Sequence, residues 1–144
     1  MGTPFYLAPE LCYEETCQPY SVKSDVWALG VILYELCALK KPFVAANETE
    51  LYQKITNDKV APIPRLNADL MGLINRLLNK NPSKRPTVRQ IIDSDYVRNK
   101  AVMLKIELPK RVPTSRLGAV HLSQSTNLVL TIAKQSSEVR NLVS

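Results

Sequence analysis

Ser24-Asp25-Val26-Trp27-Ala28-Leu29-Gly30-Val31-Ile32-Leu33-Tyr34-Glu35-Leu36-Cys37-Ala38-Leu39 is the stretch on which the fold turns. It predicts one helix, opened by Ser24 as N-cap, with Asp25 in the first turn where the helix dipole favours a carboxylate. Apolar residues stand at almost every angle around it, from Val26 and Trp27 to Leu36 and Leu39. A helix apolar on all sides is either buried or spans a membrane. A span needs roughly 20 apolar residues. This run is shorter, with Asp25 at its start, Glu35 inside it and Lys40-Lys41 at its exit. The expectation is a core helix wrapped by the rest of one domain.

The flanking sequence supplies helical cover. Pro9 and Glu10 suit the first turn of a short helix, with the glutamate at its positive end. A polar connector, Tyr13 to Lys23, leads into the central helix. Asn47 is expected to cap a helix over Glu48 to Thr56, with Leu51, Tyr52 and Ile55 on one face. Asn67 opens the clearest amphipathic pattern, with Leu70, Leu73, Ile74, Leu77 and Leu78 at i, i+3, i+4, i+7 and i+8. Asn79-Lys80-Asn81-Pro82 ends it. Thr87 and Gln90 have capping-box spacing and turn Ile91 and Ile92 inward. Val97, Ala101, Leu104 and Leu108 extend a last helix to Pro109. Leu128 to Ile132 is strand-like by composition, but no second strand signal offers a partner. The fold class is therefore mainly α, with residues 1–108 as the folded part and 109–144 as a basic, largely flexible tail.

Charge is unevenly placed, with the basic character in the C-terminal third. Of the net +6, residues 1–94 hold 11 Lys/Arg against 10 Asp/Glu, and residues 95–144 hold 8 against 3. The tail has no dense basic run and no aromatics interleaved with its cations, so a nucleic-acid partner is not expected. Cys12, Cys17 and Cys37 are odd in number without a CxxC pair, which fits reduced thiols of a cytoplasmic chain. With a single histidine, His121, no cluster has metal-ligand spacing. The N-terminus has no signal-peptide pattern, and Tyr6 stands where a myristoylation motif needs Ser or Thr. The Asn47-Glu48-Thr49 sequon is read as chance in a chain without a secretory route.

Three motifs together carry a family resemblance over residues 2 to about 100. Gly2-Thr3-Pro4-Phe5-Tyr6-Leu7-Ala8-Pro9-Glu10 resembles the end of the activation segment of serine/threonine protein kinases, APE signature included. Ser24 to Gly30, with Asp25, Trp27 and Gly30, resembles the start of their central large-lobe helix. Asn81-Pro82-Ser83-Lys84-Arg85-Pro86-Thr87 resembles their late arginine motif. Tyr34 to Phe43, after Lys23-Ser24-Asp25, looks most like the NIMA-related branch. The resemblance implies the helical half of a kinase large lobe, from the activation-segment end onward. By the same resemblance Glu10 and Arg85 pair in the interior. Thr3, on the substrate side with Gly2, favours serine/threonine substrates. Asp25 anchors the catalytic loop from a buried position, and Ile32 and Leu36 support the apolar columns under the nucleotide pocket.

Phosphoryl transfer needs a nucleotide cradle, a lysine for the phosphates, a catalytic aspartate and metal-binding Asp and Asn. In the family these come from a glycine-rich loop, VAIK, HRD and DFG. None of these motifs occurs in the sequence, and its only histidine is His121. The expectation is a chain with no catalytic, cofactor-binding or metal-binding residue of its own, ATP and magnesium belonging to a full-length kinase. Two function classes follow. One is part of a serine/threonine kinase acting on protein substrates. The other is a non-catalytic, kinase-like helical binding module whose uncovered central helix depends on a protein partner.

Overall fold

A computed structural model describes residues 4–13 and 19–111. The chain separates into Met1–Leu108 and Pro109–Ser144. Among the described residues the regular elements of the first unit are all helices: α1 Val22–Ala38, α2 Glu48–Asn57, α3 Ala68–Leu77, α4 Val88–Asp93 and α5 Asp95–Met103. Short 3-10 turns stand at Pro4–Tyr6, Pro9–Leu11 and Pro82–Lys84. The mainly helical fold read from the sequence is the one observed. The strand-like run 128–132, His121 and most of the tail lie outside the described residues, as do Gly2, Thr3 and Cys17.

Capping chemistry fixes most helix starts. The Asn47 side chain accepts from Glu50 N at 2.8 Å, and that of Asn67 accepts from Asp69 N and Leu70 N. Thr87 and Gln90 form the reciprocal box expected of their spacing, so orphan N–H groups are satisfied at both ends of the pair.

The central helix departs from expectation at its start. Its N-cap is Ser21, and Ser24 is the N3 partner of the capping box. A serine at each of these positions lets the box form one turn earlier. Ser24 Oγ is thereby freed to donate to Glu10 Oε1 at 3.0 Å. The far end closes on Leu39 in the left-handed region (φ 56°), its N–H donating to Glu35 O at 2.8 Å. Nor is α1 buried all round. Val26, Trp27, Gly30, Val31 and Tyr34 face inward, while Val22, Ile32 and Leu39 are exposed.

The last helix also stops short of Pro109. Lys105 enters the left-handed region (φ 55°), and Ile106 N–H reaches back to Ala101 O at 2.8 Å. That six-residue return bond is the Schellman way of satisfying terminal carbonyls. Leu104 is consequently exposed rather than packed.

Two apolar clusters hold the unit. Trp27, Val31 and Tyr34 of α1 pack with Phe43, with Leu51 and Ile55 of α2, and with Ile74 and Leu78. Val26 packs separately with Leu73 and Leu77. Gly30 sets the α1–α3 approach: a Cβ built there would lie 2.8 Å from Leu77 Cβ and 2.9 Å from Leu78 Cδ2. Any side chain larger than hydrogen would drive the helices apart.

Candidate functional site

Pro9 at the start of its 3-10 turn presents Glu10 inward, and the loop after Pro82–Lys84 presents Arg85 from the other side. Arg85 Nη1 donates to Glu10 Oε1 at 2.8 Å and Nη2 donates to Oε2 at 2.7 Å. The remaining guanidinium donors go to backbone carbonyls: Nε to Asn79 at 2.7 Å, Nη1 to Lys23 at 2.8 Å and Nη2 to Lys80 at 3.3 Å. All five N–H groups of the planar fork are therefore used. The side chains are 0% and 5% exposed. A buried pair is tolerable only with this degree of satisfaction, and removing one half strands a charge at about 3–5 kcal/mol.

Burial alone would raise the Glu10 carboxyl. The Arg85 hydrogen bonds and charge, with Ser24 donating as well, outweigh it and hold the group below its ordinary value. Arg85 also lies 5.1 Å from the Trp27 ring centroid, and Trp27 stacks on Phe43 at 6.0 Å and 7°. The anchor thus ties the Ala8-Pro9-Glu10 segment to the start of α1 and to the loop after α3. Ala8, 1% exposed, seats the segment in the first cluster.

Asp25 is placed differently from the sequence reading. It is exposed, and Tyr20 donates its hydroxyl to Asp25 Oδ1. With α1 starting at Val22, Asp25 falls on the solvent side of the first turn, so no charge is stranded in the interior. Ile32, at 40% exposure, is not part of the described core, and Leu36 is half-buried.

A second junction was invisible in the sequence. Tyr6 donates to Glu35 Oε2 at 2.9 Å, and Lys41 donates to both carboxylate oxygens at 3.0 and 3.2 Å and to Tyr6 Oη at 3.1 Å. Lys41 Nζ also sits over the Phe5 and Tyr6 rings at 5.1 and 4.8 Å. Hydrogen bonds from Lys41 and then Tyr6 lower the Glu35 carboxyl, and the same contacts raise Lys41. Glu35 and Lys41 are six apart, outside the i,i+4 spacing that flags a helical pair, so only the turn at Leu39 brings them together.

A concavity of about 660 Å³ borders this segment, lined by Tyr6, Leu7 and Leu11 together with Ser24 and Ala28 of α1 and Tyr52 of α2. Among the described residues no three His, Cys, Asp or Glu side chains gather as metal ligands. No helix there is long and apolar enough to cross a membrane.

The protein kinase domain model matches residues 1–97. The chain is similar to the serine/threonine-protein kinase Nek1 of Mus musculus, 43% identical over 98 residues, covering 67% of this chain and 8% of that protein. It is similar to the G2-specific protein kinase nim-1 of Neurospora crassa, 42% identical over 99 residues, covering 68% and 11%. Against serine/threonine-protein kinase Nek8 of Danio rerio it is 48% identical over 93 residues, covering 64% and 13%. The chain thus spans about a tenth of the length of these curated relatives.

Proposed function

The chain belongs to the protein kinase domain family, and on that premise we propose that residues 1–108 are the carboxy-terminal, helical part of a NIMA-related-like serine/threonine kinase domain. In this reading the chain contributes the anchored end of the activation segment and no nucleotide or metal site. The observation that carries it is the buried, two-pronged Glu10–Arg85 pair, which fastens the segment at Ala8-Pro9-Glu10 to the central helix. Gly2 and Thr3 are assigned to the substrate side, and proteins bearing serine or threonine are the substrates of the domain this part completes. Trp27 and Gly30 are structural: one is the core of the first cluster, the other the close-approach point with α3. ATP and magnesium belong to the half of the domain that carries the glycine-rich loop, HRD and DFG. The free thiols of Cys12 and Cys37 support a cytoplasmic setting.

The exposed Ile32 on α1 supports a second reading, a non-catalytic helical module that docks a protein partner. A chimera separates the two. The glycine-rich-loop-to-DFG half of a NIMA-related kinase is joined ahead of residue 1, and phosphate transfer to serine and threonine peptides is measured beside Mg-ATP binding. Transfer that Arg85→Ala abolishes is the expected result. A chimera that binds Mg-ATP and melts cooperatively, yet transfers no phosphate, would overturn the kinase reading.

A further inference from the structure

A cleft of about 500 Å³ opens between the start of α1, α3 and the loop that runs from Ser83 into α4. It shares no lining residue with the concavity beside the activation-segment end. Four cations line it, Lys23, Arg76, Lys84 and Arg85, and no carboxylate is among its described lining residues. Two of the four are committed. Arg85 spends its donors on Glu10 and on carbonyls, and Lys23 Nζ donates to Arg85 O. Arg76 and Lys84 are exposed, and among the described residues neither side chain has a hydrogen-bond or ion-pair partner.

The remaining lining is suited to a polypeptide. Gln90 Oε1 already accepts from Thr87 N, which fixes the amide and leaves its NH₂ as a neutral donor; Ser83 adds a hydroxyl. Leu73 and Ile91 form an apolar floor for the stems between charged groups. No aromatic ring lines the cleft, so it offers no stacking platform for a base. The apolar floor is recessed rather than exposed, unlike a surface that inserts into lipid. A cleft of one charge sign with apolar walls focuses its field on an opposite charge, and Arg76 adds a planar fork matched to a carboxylate. We propose that this cleft binds an acidic segment of a partner polypeptide, with Arg76 and Lys84 reading its carboxylates.

The test uses the full 144-residue chain and fluorescein-labelled hexaglutamate, followed by anisotropy at two salt concentrations. Arg76→Gln/Lys84→Gln should weaken binding about tenfold. Lys40→Gln/Lys59→Gln removes the same two charges from exposed sites outside the cleft and should leave affinity within about twofold. Equal weakening by both pairs would mean a response to net charge alone and would overturn the proposal. So would absence of salt-dependent binding, or displacement of the peptide by oligo-dT at lower concentration. Amide shifts on adding hexaglutamate to the unaltered chain give a reading that depends on no variant. They should centre on Arg76 and on Ser83 to Gln90, and a centre elsewhere would also overturn it.

Discussion

The Glu10 carboxylate meets both terminal nitrogens of Arg85, at 2.8 and 2.7 Å, across 75 residues of sequence. No other ion pair among the described residues is as enclosed. The pairs Lys41–Glu35 and Lys54–Glu50 are a quarter exposed or more, and surface pairs contribute only about 0–1 kcal/mol. The anchor is therefore the ion pair whose one-sided removal should cost the most.

Arg85→Ala should destabilise the chain by about 3–5 kcal/mol, because Glu10 is left buried without a counter-charge. Glu10→Ala should fall in the same range, and the double variant should lose clearly less than the sum of the two. Urea unfolding of the four proteins gives the cycle. Additive losses would show that the two groups are not coupled.

The Glu10 carboxyl is held below its ordinary value of 4.5. A depressed carboxylate contributes stability that is fully present above the unfolded-state value and is lost as pH falls through the folded one. Stability should therefore be level near neutrality and fall as pH drops below 4.5. Glu10→Gln, weaker at neutral pH, should show a shallower acid slope in urea melts at successive pH values. An unchanged slope would remove Glu10 from the account.

Lys80 gives a slope of the same sign at the alkaline end, from the opposite cause: an ammonium penalised by burial rather than a carboxylate held by a partner. Burial is the main cause that pulls its ammonium down to about 8 from 10.5. The folded state then releases its proton before the unfolded state does. Stability from this group should rise between pH 8 and 10.5. Lys80 Nζ lies 5.1 Å from the Trp27 ring centroid and 4.2 Å from that of Phe43. Trp27 is the only tryptophan of the sequence, so its fluorescence should titrate near pH 8 and Lys80→Met should abolish the step. Cys12, pushed up to about 11 by burial, does not compete in that range.

Gly30→Ala should destabilise by about 1–3 kcal/mol, the overpacking range, although alanine gains about 1 kcal/mol of helix propensity. The contact to Leu77 Cβ decides the sign, since that atom next to the backbone cannot swing away. Adding Leu77→Ala should not rescue it, because Cβ remains. Thermal melts of the two variants check this.

Much of this was legible in local pattern. Asn47, Asn67 and the Thr87–Gln90 box mark helix starts because capping depends on residues three apart. The Leu73, Ile74 and Leu77 stripe marks the buried face of α3 because helical period is local too. The Glu10–Arg85 contact came from motif resemblance, not from any periodic signal. Ser21 was missed because two serines at box spacing give two candidate caps, and only the fold chooses between them. Burial of Asp25 was inferred from a cover that the described residues do not include, and Tyr20 bonds the exposed carboxylate instead. The Tyr6–Glu35–Lys41 junction and the seat of Lys80 over two rings depend on how turns at Leu39 and Pro82 fold back. No spacing rule encodes either.

If residues 1–108 supply the anchored activation-segment end of a kinase domain and no nucleotide site, Mg-ATP should find nothing to bind on this chain. Isothermal titration of the 144-residue chain with Mg-ATP tests it most directly. No saturable heat is expected up to millimolar nucleotide, with Arg85→Ala indistinguishable in this assay. A saturable one-to-one isotherm in the micromolar range would contradict it.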